Sequence, residues 1–302
     1  MITNFTRGII FGCIAAIWWG MPQPLFFDEI KYIPSFEIAM HRGVWSFFVL
    51  FLSLIFFSEI KNFFILFKSS KKIIILTITS LLIATNWLGF IYSVSINKVQ
   101  DASLGYFLTP MISISLGYFI LNEKLNARKT ISVSLMFFAC FILFASLDSF
   151  PYLALLIGTT WGVYGLLRKQ IEVSPAEGLL YESGLITLFA LPYLLYLNHI
   201  DIGYFSFSFN FNYISIMLFL TGIVTIIPLF FFNLGLKYTT LGLAGVLFYI
   251  APSFHFITSV FILGEYLEME KIVAFIIIWV GVSIFIYDAV RTSKLSGVKF
   301  DN

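Results

Sequence analysis

The amino-acid sequence predicts an all-α integral membrane protein with ten transmembrane helices, arranged as two inverted five-helix repeats with both termini in the cytoplasm. Three observations lead to this fold class: an apolar composition, an internal repeat at a fixed offset, and an uneven distribution of basic residues between loops. Of the 302 residues, 60% are hydrophobic and 11% are charged, and the mean hydropathy is +0.96. An average soluble domain is about one quarter charged, so the solvent for most of this chain is lipid.

Charge and turn signals divide the chain into apolar runs, most of them near the length of about 20 residues that a bilayer requires. The predicted spans are 7–25, 36–57, 73–94, 101–121, 127–147, 151–168, 176–197, 213–236, 240–263 and 270–289. The first run ends in Met21-Pro22-Gln23-Pro24 rather than in a small-residue cleavage site, so we interpret it as a retained helix and not as a signal peptide. The sixth run is short and glycine-rich, and it is included because it is the repeat partner of the first.

The internal repeat has an offset of 142 residues and needs no insertion. The segment 119–125 (FILNEKL) returns as 261–267 (FILGEYL), with five identities in seven positions. The same offset relates Trp19-Gly20 to Trp161-Gly162, Phe90 to Phe232, Ala102 to Ala244 and Pro110 to Pro252. We therefore predict a first repeat over 1–148, a second over 149–290 and a short basic tail over 291–302.

Loop charge predicts sidedness, since cytoplasmic loops are enriched in lysine and arginine. Fourteen basic residues fall on one side: Arg7, Lys61, Lys68, Lys71, Lys72, Lys124, Arg128, Lys129, Arg168, Lys169, Lys237, Arg291, Lys294 and Lys299. Three fall on the other: Lys31, Lys98 and Lys271. This distribution places both termini in the cytoplasm. Because each repeat has an odd number of spans, Glu123 lies in a cytoplasmic loop and its twin Glu265 in an outer one.

An inverted repeat of this kind typically supports alternating access to a site at the interface of the two copies. The alternative is that gene duplication left the symmetry without any transport.

The second predicted span carries three ionisable residues, Glu37, His41 and Arg42, and such residues are costly in lipid. Glu37, His41 and Trp45 follow one another at intervals of four and share one helix face. Arg42 lies about seven residues from the outer end of the span, roughly 10 Å deep at the helical rise. Two interpretations stay open: a role in a pathway or gate, or packing and snorkelling to the interface.

Glu182 lies in the seventh span, and subtracting the offset places it beside His41 and Arg42 in the repeat. We hypothesise that Glu182 pairs with Arg42 or titrates during transport. The alternative is a carboxylate near the lipid headgroups, so the sequence does not establish proton coupling.

Three prolines inside predicted spans, Pro110, Pro228 and Pro252, predict helix breaks, where freed carbonyl groups need neighbours or water. Pro110 and Pro252 lie at equivalent depths of paired spans, which points to a central pathway. Candidates to line it are Asn86, Trp87, Tyr106, Asn233 and Tyr249. His255, one turn after Pro252, is either a packed, hydrogen-bonded histidine or part of that pathway.

We expect no cofactor and no metal site, because the three histidines (His41, His199 and His255) are dispersed and no carboxylates cluster with them. Cys13 and Cys140 lie in apolar runs without disulfide or metal spacing, so we interpret both as core residues. The chain has no glycine-rich phosphate loop, which argues against ATP drive from within it. A net charge of +2 does not suggest a nucleic-acid partner.

Several strings in this order resemble the RarD group of EamA-type transporters, in the drug/metabolite transporter superfamily. They are 37–46 (EIAMHRGVWS), Asn86-Trp87, 102–107 (ASLGYF) with Pro110, 164–169 (YGLLRK), Pro228-Leu229, 249–252 (YIAP) and Gly264-Glu265. The resemblance covers nearly the whole chain. It implies ten helices in inverted repeats, residence in the bacterial inner membrane as a multi-pass protein, and carriage of small metabolites or drugs, often outward.

The resemblance also implies a cavity lined mainly by the first, third, fourth, sixth, eighth and ninth spans. It supports His41, Arg42 and Trp45 as a functional cluster, and it supports these cavity candidates: Asn86, Trp87, Tyr106, Tyr164 and Tyr249. Arg42 near the outer mouth could hold a carboxylate, which favours amino acids or other small organic anions over cations. The excess of aromatic residues would suit an amphipathic or aromatic solute.

The expected partners are therefore the lipid bilayer and a small organic solute, either an amino acid, an aromatic metabolite or a drug-like compound. Monomer and loose homodimer both stay open. Two other classes are weaker. A membrane-embedded enzyme would need a nucleophile or metal constellation that the sequence lacks, and a scaffold or sensor would need a soluble module, whereas the tail is short and basic.

Overall fold

The computed structural model of the protein describes residues 3–96, 99–145, 150–206, 212–261 and 269–296. Within these ranges the regular structure is entirely helical. The helices are α1 (Asn4–Gly20), α2 (Pro22–Asp28), α3 (Ser35–Phe56), α4 (Ile60–Ile65), α5 (Ser70–Ser95), α6 (Val99–Phe119), α7 (Ala127–Ala145), α8 (Tyr152–Lys169), α9 (Pro175–His199), α10 (Tyr213–Tyr238), α11 (Leu241–Phe248), α12 (Ile250–Phe261) and α13 (Met269–Ser296).

Seven described segments are long and apolar enough to cross a membrane, by length and composition. They are Asn4–Asp28, Ser35–Phe56, Ser70–Ser93, Ala127–Ala145, Pro175–His199, Tyr213–Tyr238 and Ile272–Ser293. Two shorter apolar helices, Leu104–Phe119 and Leu241–Phe254, accompany them. The chain is therefore an all-α, multi-pass membrane protein. Each predicted run overlaps a described helix, whereas the number of crossings stays a prediction.

Two predicted spans are interrupted in the structure. The first run bends at Met21, whose φ of −134° and ψ of −66° lie outside the helical region, and α2 restarts at Pro22. Proline suits a first helical position because it lacks the N–H that would be unpaired there. The ninth run divides after Phe248, and Tyr249 separates it from α12, which begins at Ile250. Pro252 explains this break, since its ring opposes the carbonyl group of Phe248 four residues earlier.

The helix breaks predicted at Pro110 and Pro228 are wrong, because both prolines lie inside continuous helices, α6 and α10. In α10, Pro228 has no N–H to offer the carbonyl oxygen of Val224. That oxygen instead accepts a hydrogen bond from the indole nitrogen of Trp18 on α1, at 3.1 Å. An outside donor thus replaces the missing backbone bond, as lipid surroundings require.

The helices pack mainly across the two halves of the chain. The main pairs are α1 with α10, α3 with α9 and α10, α5 with α8 and α9, α6 with α8 and α11, and α7 with α13. One apolar cluster contains Trp161, Phe232 and Phe248, and a second joins α6, α7, α11 and α13. Many large apolar side chains point outward, among them Phe56 at 81% exposure, which is typical of a surface that contacts lipid.

Helix α4 and the 3-10 helix Leu66–Lys68 were not predicted. Six and three residues are too few for a hydrophobic period to reveal. Phe64 and Phe67 are exposed in this segment, close in sequence to Lys61 and Lys68. Exposed aromatic residues next to lysines suit the boundary between lipid tails and headgroups.

Candidate functional site

Arg42 on α3 is the centre of one polar cluster. Its Nε donates a hydrogen bond to Thr225 Oγ1 on α10 at 2.9 Å. Its guanidinium carbon lies 4.3 Å from the ring centroid of Trp87 and 5.2 Å from that of Phe27. Tyr106 on α6 is a near neighbour of the guanidinium. The cluster therefore joins α2, α3, α5, α6 and α10.

The two terminal nitrogens of Arg42 have no protein hydrogen-bond partner among the described residues, and neither is a buried unpaired atom. No carboxylate with a described side chain lies within ion-pair distance of the guanidinium. Arg42 thus presents free donors to accessible space within the span, whereas an intramembrane charge ordinarily has a partner.

His41 and Trp45 meet one helical turn apart on α3. Trp45 Nε1 donates a hydrogen bond to His41 Nδ1 at 3.1 Å, so the proton of a neutral imidazole is on Nε2. Nε2 lies 3.9 Å from Glu37 Oε1, and that oxygen accepts a hydrogen bond from the backbone N–H of Tyr204 at 2.7 Å. The line of three side chains predicted on one face exists, and it ties α3 to the segment after α9.

A second polar cluster surrounds Glu182 on α9. Thr79 Oγ1 donates a hydrogen bond to Glu182 Oε1 at 2.6 Å, and Tyr164 Oη donates to Oε2 at 3.3 Å. Arg168 Nη1 lies 3.6 Å from Oε1, and Arg168 Nε donates to Asn233 Oδ1 at 2.8 Å. Asn233 Nδ2 completes the ring with a bond to Tyr164 Oη at 2.8 Å. The cluster joins α5, α8, α9 and α10, and all five residues are in the interior.

The predicted pairing of Glu182 with Arg42 is wrong, because the ionic partner of Glu182 is Arg168. Arg168 lies in the last turn of α8, and the short connection to α9 brings it directly to Glu182. Gly178 makes room for it, since a Cβ atom there would lie 1.8 Å from Arg168 Nη1. The side chains of Arg168 and Glu182 are only 3% and 2% exposed, so the alternative of a carboxylate at the headgroups also does not hold.

The remaining predicted residues have other positions. Asn86 Nδ2 donates to the carbonyl oxygen of Ile157 at 2.9 Å and to Thr160 Oγ1 at 3.0 Å, which fastens α5 to α8. Tyr249 lies at the junction of α11 and α12. His255 is part of α12, and its side chain lies outside the described residues, as does Glu265.

Three pairs of residues separated by the repeat offset of 142 touch one another. They are Trp19 with Trp161 (ring centroids 5.3 Å apart), Tyr106 with Phe248 (6.2 Å) and Phe107 with Tyr249 (carbonyl oxygen to hydroxyl, 3.1 Å). Helices α1, α6 and α8 and the α11–α12 junction thus contribute equivalent residues to one central interface.

An apolar crevice of about 500 Å³ lies elsewhere, along α6, α7 and α8. Leu108, Met111 and Phe141 are among the residues that line it, and Phe141 is exposed on the outer surface. The crevice contains neither Arg42 nor Glu182, so we assign it to lipid contact and not to the polar site.

Sequence reasoning missed Thr225, Phe27, Thr79 and Arg168. Arg168 was counted as a loop charge because it directly precedes Lys169. Gly178, ten residues after Arg168, was the available signal, since a glycine near the start of a helix can leave space for a long neighbouring side chain. Thr225 and Phe27 gave no signal, because their importance depends on helices far apart in sequence.

Apolar helices that enclose two polar clusters define an integral membrane protein with intramembrane functional groups. The model of the EamA-like transporter family matches residues 6–145 and, separately, residues 150–287. The chain therefore belongs to the EamA-like transporter family.

Relatives agree with this assignment over nearly their full length. The chain is 32% identical to the uncharacterized transporter YojE of Bacillus subtilis, covering 96% of this chain and 97% of that one. It is 33% identical to the protein RarD of Salmonella typhimurium, covering 95% and 97%. These matches confirm the resemblance to the RarD group. A crystal structure with 16% identity has a TM-score of 0.69, covers 94% of this chain and 98% of that one, and supports the fold alone.

Proposed function

We propose that this protein is a secondary transporter or facilitator that exports small organic metabolites or drugs across the bacterial inner membrane, by alternating access at the interface of two inverted repeats. Family membership supports membrane transport. The observation that carries the mechanism is the contact between residues separated by the repeat offset.

Equivalent residues of two copies related by a two-fold axis can touch only next to that axis, because they lie at equal distances on opposite sides of it. The three touching pairs therefore support an axis through the middle of the bundle. Helix packing follows the same symmetry, in which α1, α3 and α5 correspond to α8, α9 and α10. The contact of α1 with α10 corresponds to that of α8 with α5, and the contact of α3 with α10 corresponds to that of α9 with α5. An axis in the membrane plane is the arrangement that alternating access uses.

The proposal includes ten crossings, cytoplasmic termini, repeats over 1–148 and 149–290, and a basic tail over 291–302. The two family matches, 6–145 and 150–287, support the division. Single cysteines at Lys61, Lys129 and Lys31 test the topology with a membrane-impermeant maleimide. The first two should react only from the cytoplasmic side and the third only from outside. The reverse pattern would contradict cytoplasmic termini, and reaction of all three from one side would contradict the predicted crossings of the first repeat.

We assign the solute pathway to the accessible cluster of Arg42, Trp87 and Tyr106, which lies beside the central interface. The buried ring of Tyr164, Glu182 and Asn233 is assigned to closing the opposite half. His41 and Trp45 position α3, Asn86 positions α5 and Tyr249 lies at the axis. For His255 the assignment to the pathway rests on the sequence alone.

The alternative is a scaffold, sensor or membrane-embedded enzyme without transport. The deciding experiment is uptake into proteoliposomes of the purified protein from a mixed pool of amino acids, aromatic metabolites and drug-like compounds, read by mass spectrometry with and without a pH gradient. Selective movement of one compound class, absent from empty liposomes, is expected. No movement by folded protein would contradict the proposal.

Proton coupling through Glu182 is tested in the same vesicles. If Glu182 carries the proton, Glu182→Gln abolishes stimulation by the pH gradient and leaves counterflow without a gradient. Full stimulation in the variant would remove Glu182 from any coupling role.

The oligomeric state is a separate question. Light scattering of the purified protein separates a monomer from a homodimer.

A further inference from the structure

We infer that the solute of the proposed transporter is an organic anion, a carboxylate on a planar apolar body, and that Arg42 is the residue that selects it. This inference rests on the proposed function and names the substrate class of the same site. It starts from a guanidinium that has no partner among the carboxylates with described side chains.

The surroundings of Arg42 orient its donors. The bond from Nε to Thr225 Oγ1 at 2.9 Å uses one edge of the guanidinium plane. The Trp87 ring, 4.3 Å from the guanidinium carbon, contacts the charge through its π-electrons. Both terminal nitrogens are then left to bind a partner side by side, which is the geometry that a carboxylate matches with two parallel hydrogen bonds.

The charge also determines which solutes are rejected. A cation would meet an unneutralised positive charge at low dielectric, whereas an anion would neutralise it. A neutral amide would leave the charge without a counterion. Tyr106 and Trp87, both half-buried, offer aromatic surface near Arg42, and Phe90 and Phe248 back the Tyr106 ring, which suits a planar apolar body.

Thr225 is a positioning residue, since its hydroxyl group fixes the guanidinium plane without being needed to meet the solute. Thr225→Val removes the acceptor and conserves the shape. It should weaken binding of the anion and leave the preference for a carboxylate over its amide in place. Arg42→Lys keeps the charge without the planar fork and should retain only part of that preference.

The test is isothermal titration calorimetry on the full-length protein in detergent, with benzoate, phenylacetate and indole-3-acetate, each paired with its primary amide. Wild type should bind at least one carboxylate about 10-fold or more tightly than its amide, the scale expected for charge-assisted hydrogen bonds. Arg42→Gln should remove this preference. Arg128→Gln is the matched control, an arginine with a 49% exposed side chain near Asp288, and should retain it.

Equal binding of acid and amide by wild type, no binding of any carboxylate, or an unchanged preference in Arg42→Gln would overturn the inference. Flux measurements separate this from the proposed function. If wild type moves the amides and shows no preference for the acids, the transport function is supported and the inference of an anionic solute is wrong. Arg42-dependent binding of a carboxylate without any flux would leave the anion site standing and remove transport.

The junction between α10 and α11 is bound by the carboxylate of Glu123. Glu123 follows α6, and its two carboxylate oxygens accept hydrogen bonds from the backbone N–H groups of Leu241 and Gly242, at 2.6 and 2.9 Å. These are the first residues of α11, where a negative charge complements the helix dipole. Space for the carboxylate depends on Gly117, where a Cβ atom would lie 2.7 Å from Glu123 Oε2.

A positive charge holds the other side of the same junction. Lys169, the last residue of α8, donates from Nζ to the carbonyl oxygens of Leu236 at 2.8 Å and of Thr239. These carbonyl groups end α10, so a cation complements the negative end of its dipole. Below the junction, α11 packs tightly on α6, since a Cβ atom at Gly245 would lie 2.7 Å from Ser113 Cβ.

We propose that Glu123 is a latch that keeps the cytoplasmic half of the pathway closed by holding the start of α11 against the end of α6. It joins the two repeats, and its loop is predicted to be cytoplasmic. When the latch opens, α11 separates from α6 and Ser113 becomes reachable from the cytoplasm. This proposal rests on alternating access in the proposed function.

The test is the reaction of Ser113→Cys, in a protein whose native cysteines Cys13 and Cys140 are replaced by alanine, with an impermeant maleimide in inside-out vesicles. Glu123→Gln keeps the shape, weakens both hydrogen bonds and should raise the reaction rate about 10-fold, the change that about 1.4 kcal/mol produces. Glu123→Asp should lie in between. The exposed Glu59 offers the control Glu59→Gln, which should change nothing.

An unchanged rate in Glu123→Gln, or an equal rise in Glu59→Gln, would overturn the latch. If transport continues in that case, only the latch is wrong. If the maleimide reaction rate rises as expected but no variant shows solute flux, Glu123 still acts as a latch, and the conformational change it controls serves something other than transport. A Glu123→Gln protein that fails to fold leaves Glu123→Asp, for which the same rate comparison decides.

Discussion

Arg168 and Glu182 are two charges held inside the bundle, with side chains 3% and 2% exposed. Removing such charges from water costs several kcal/mol for each, and their attraction offsets this only with further hydrogen bonds. Thr79, Tyr164 and Asn233 provide those bonds. The pair is therefore weak evidence for stability as a whole, whereas removing either charge alone leaves the other buried and unpaired.

Glu182→Leu should destabilise the protein by about 3–5 kcal/mol, because it leaves the Arg168 charge buried and unpaired. Adding Arg168→Met should restore much of the loss, since both charges are then absent. Titration with a denaturing detergent measures the four states of this cycle. Additive losses in the double variant would show that the two side chains do not depend on each other.

Gly178→Ala offers an independent check on the same cluster. Its new methyl group would lie 1.8 Å from Arg168 Nη1, far inside van der Waals contact, so the Arg168 side chain must move away from Glu182. We expect a loss similar to that of Arg168→Gln, and no further loss when the two are combined. Gly184→Ala is the matched control on the same helix, since its Cβ atom would meet only the ring of Phe47, at 3.2 Å.

Among the helices, α10 shows how a proline is accommodated without a break. The indole of Trp18 binds the carbonyl group of Val224 that Pro228 leaves free. The same bond connects α1 to α10, so a local defect of one helix becomes a contact between two. This explains why the predicted break did not occur.

Trp18→Phe should cost about 1–3 kcal/mol, the usual penalty for a buried carbonyl group without a partner. In the Pro228→Ala background the cost should be much smaller, because alanine supplies the N–H that binds Val224 within the helix. Thermal unfolding of the four proteins measures the coupling. An equal cost of Trp18→Phe in both backgrounds would mean that the indole contributes packing alone.

The long helices could be predicted from the sequence because each lies in a long apolar run bounded by charge or proline, whereas the short helix α4 could not. Pro252 predicted that the ninth run would break, but the sequence did not show that the break would follow Phe248. The partner of Glu182 was not predicted, because Arg168 stands at the end of α8 next to Lys169 and reads as a loop charge, and Gly178 was a weak signal for it. Contacts such as Arg42 with Thr225 depend on how helices rotate against each other, which one sequence does not reveal.

In the proposed arrangement the two halves of the bundle meet at the touching pairs, and Phe107 and Tyr249 are one of these pairs. Motion about such a crossing changes distances at the two ends and conserves them in the middle. Helices α7 and α13 pack on each other and are equivalent members of the two proposed repeats. They therefore provide an internal reference for any movement of the pathway helices.

Spin labels at Lys124→Cys and Lys237→Cys should move apart when a solute gradient drives the cycle, because they flank the junction held by Glu123. Labels at Lys129→Cys and Arg291→Cys, on α7 and α13, should keep their distance. Pulsed electron paramagnetic resonance in nanodiscs measures both. Equal changes in the two pairs would indicate general loosening instead of alternating access.

The lone charge of Arg42 has an electrical consequence. In the proposed repeat its counterpart, 142 residues later, is Gly184, so we expect no second cation at the equivalent position of the pathway. A solute that enters as an anion carries its charge across the bilayer. A voltage that is negative inside drives such a charge outward, by about 2.3 kcal/mol per 100 mV, or roughly 50-fold in concentration. Export would then need no ion gradient of its own, and efflux of phenylacetate should rise with a valinomycin-imposed voltage while that of its amide should not.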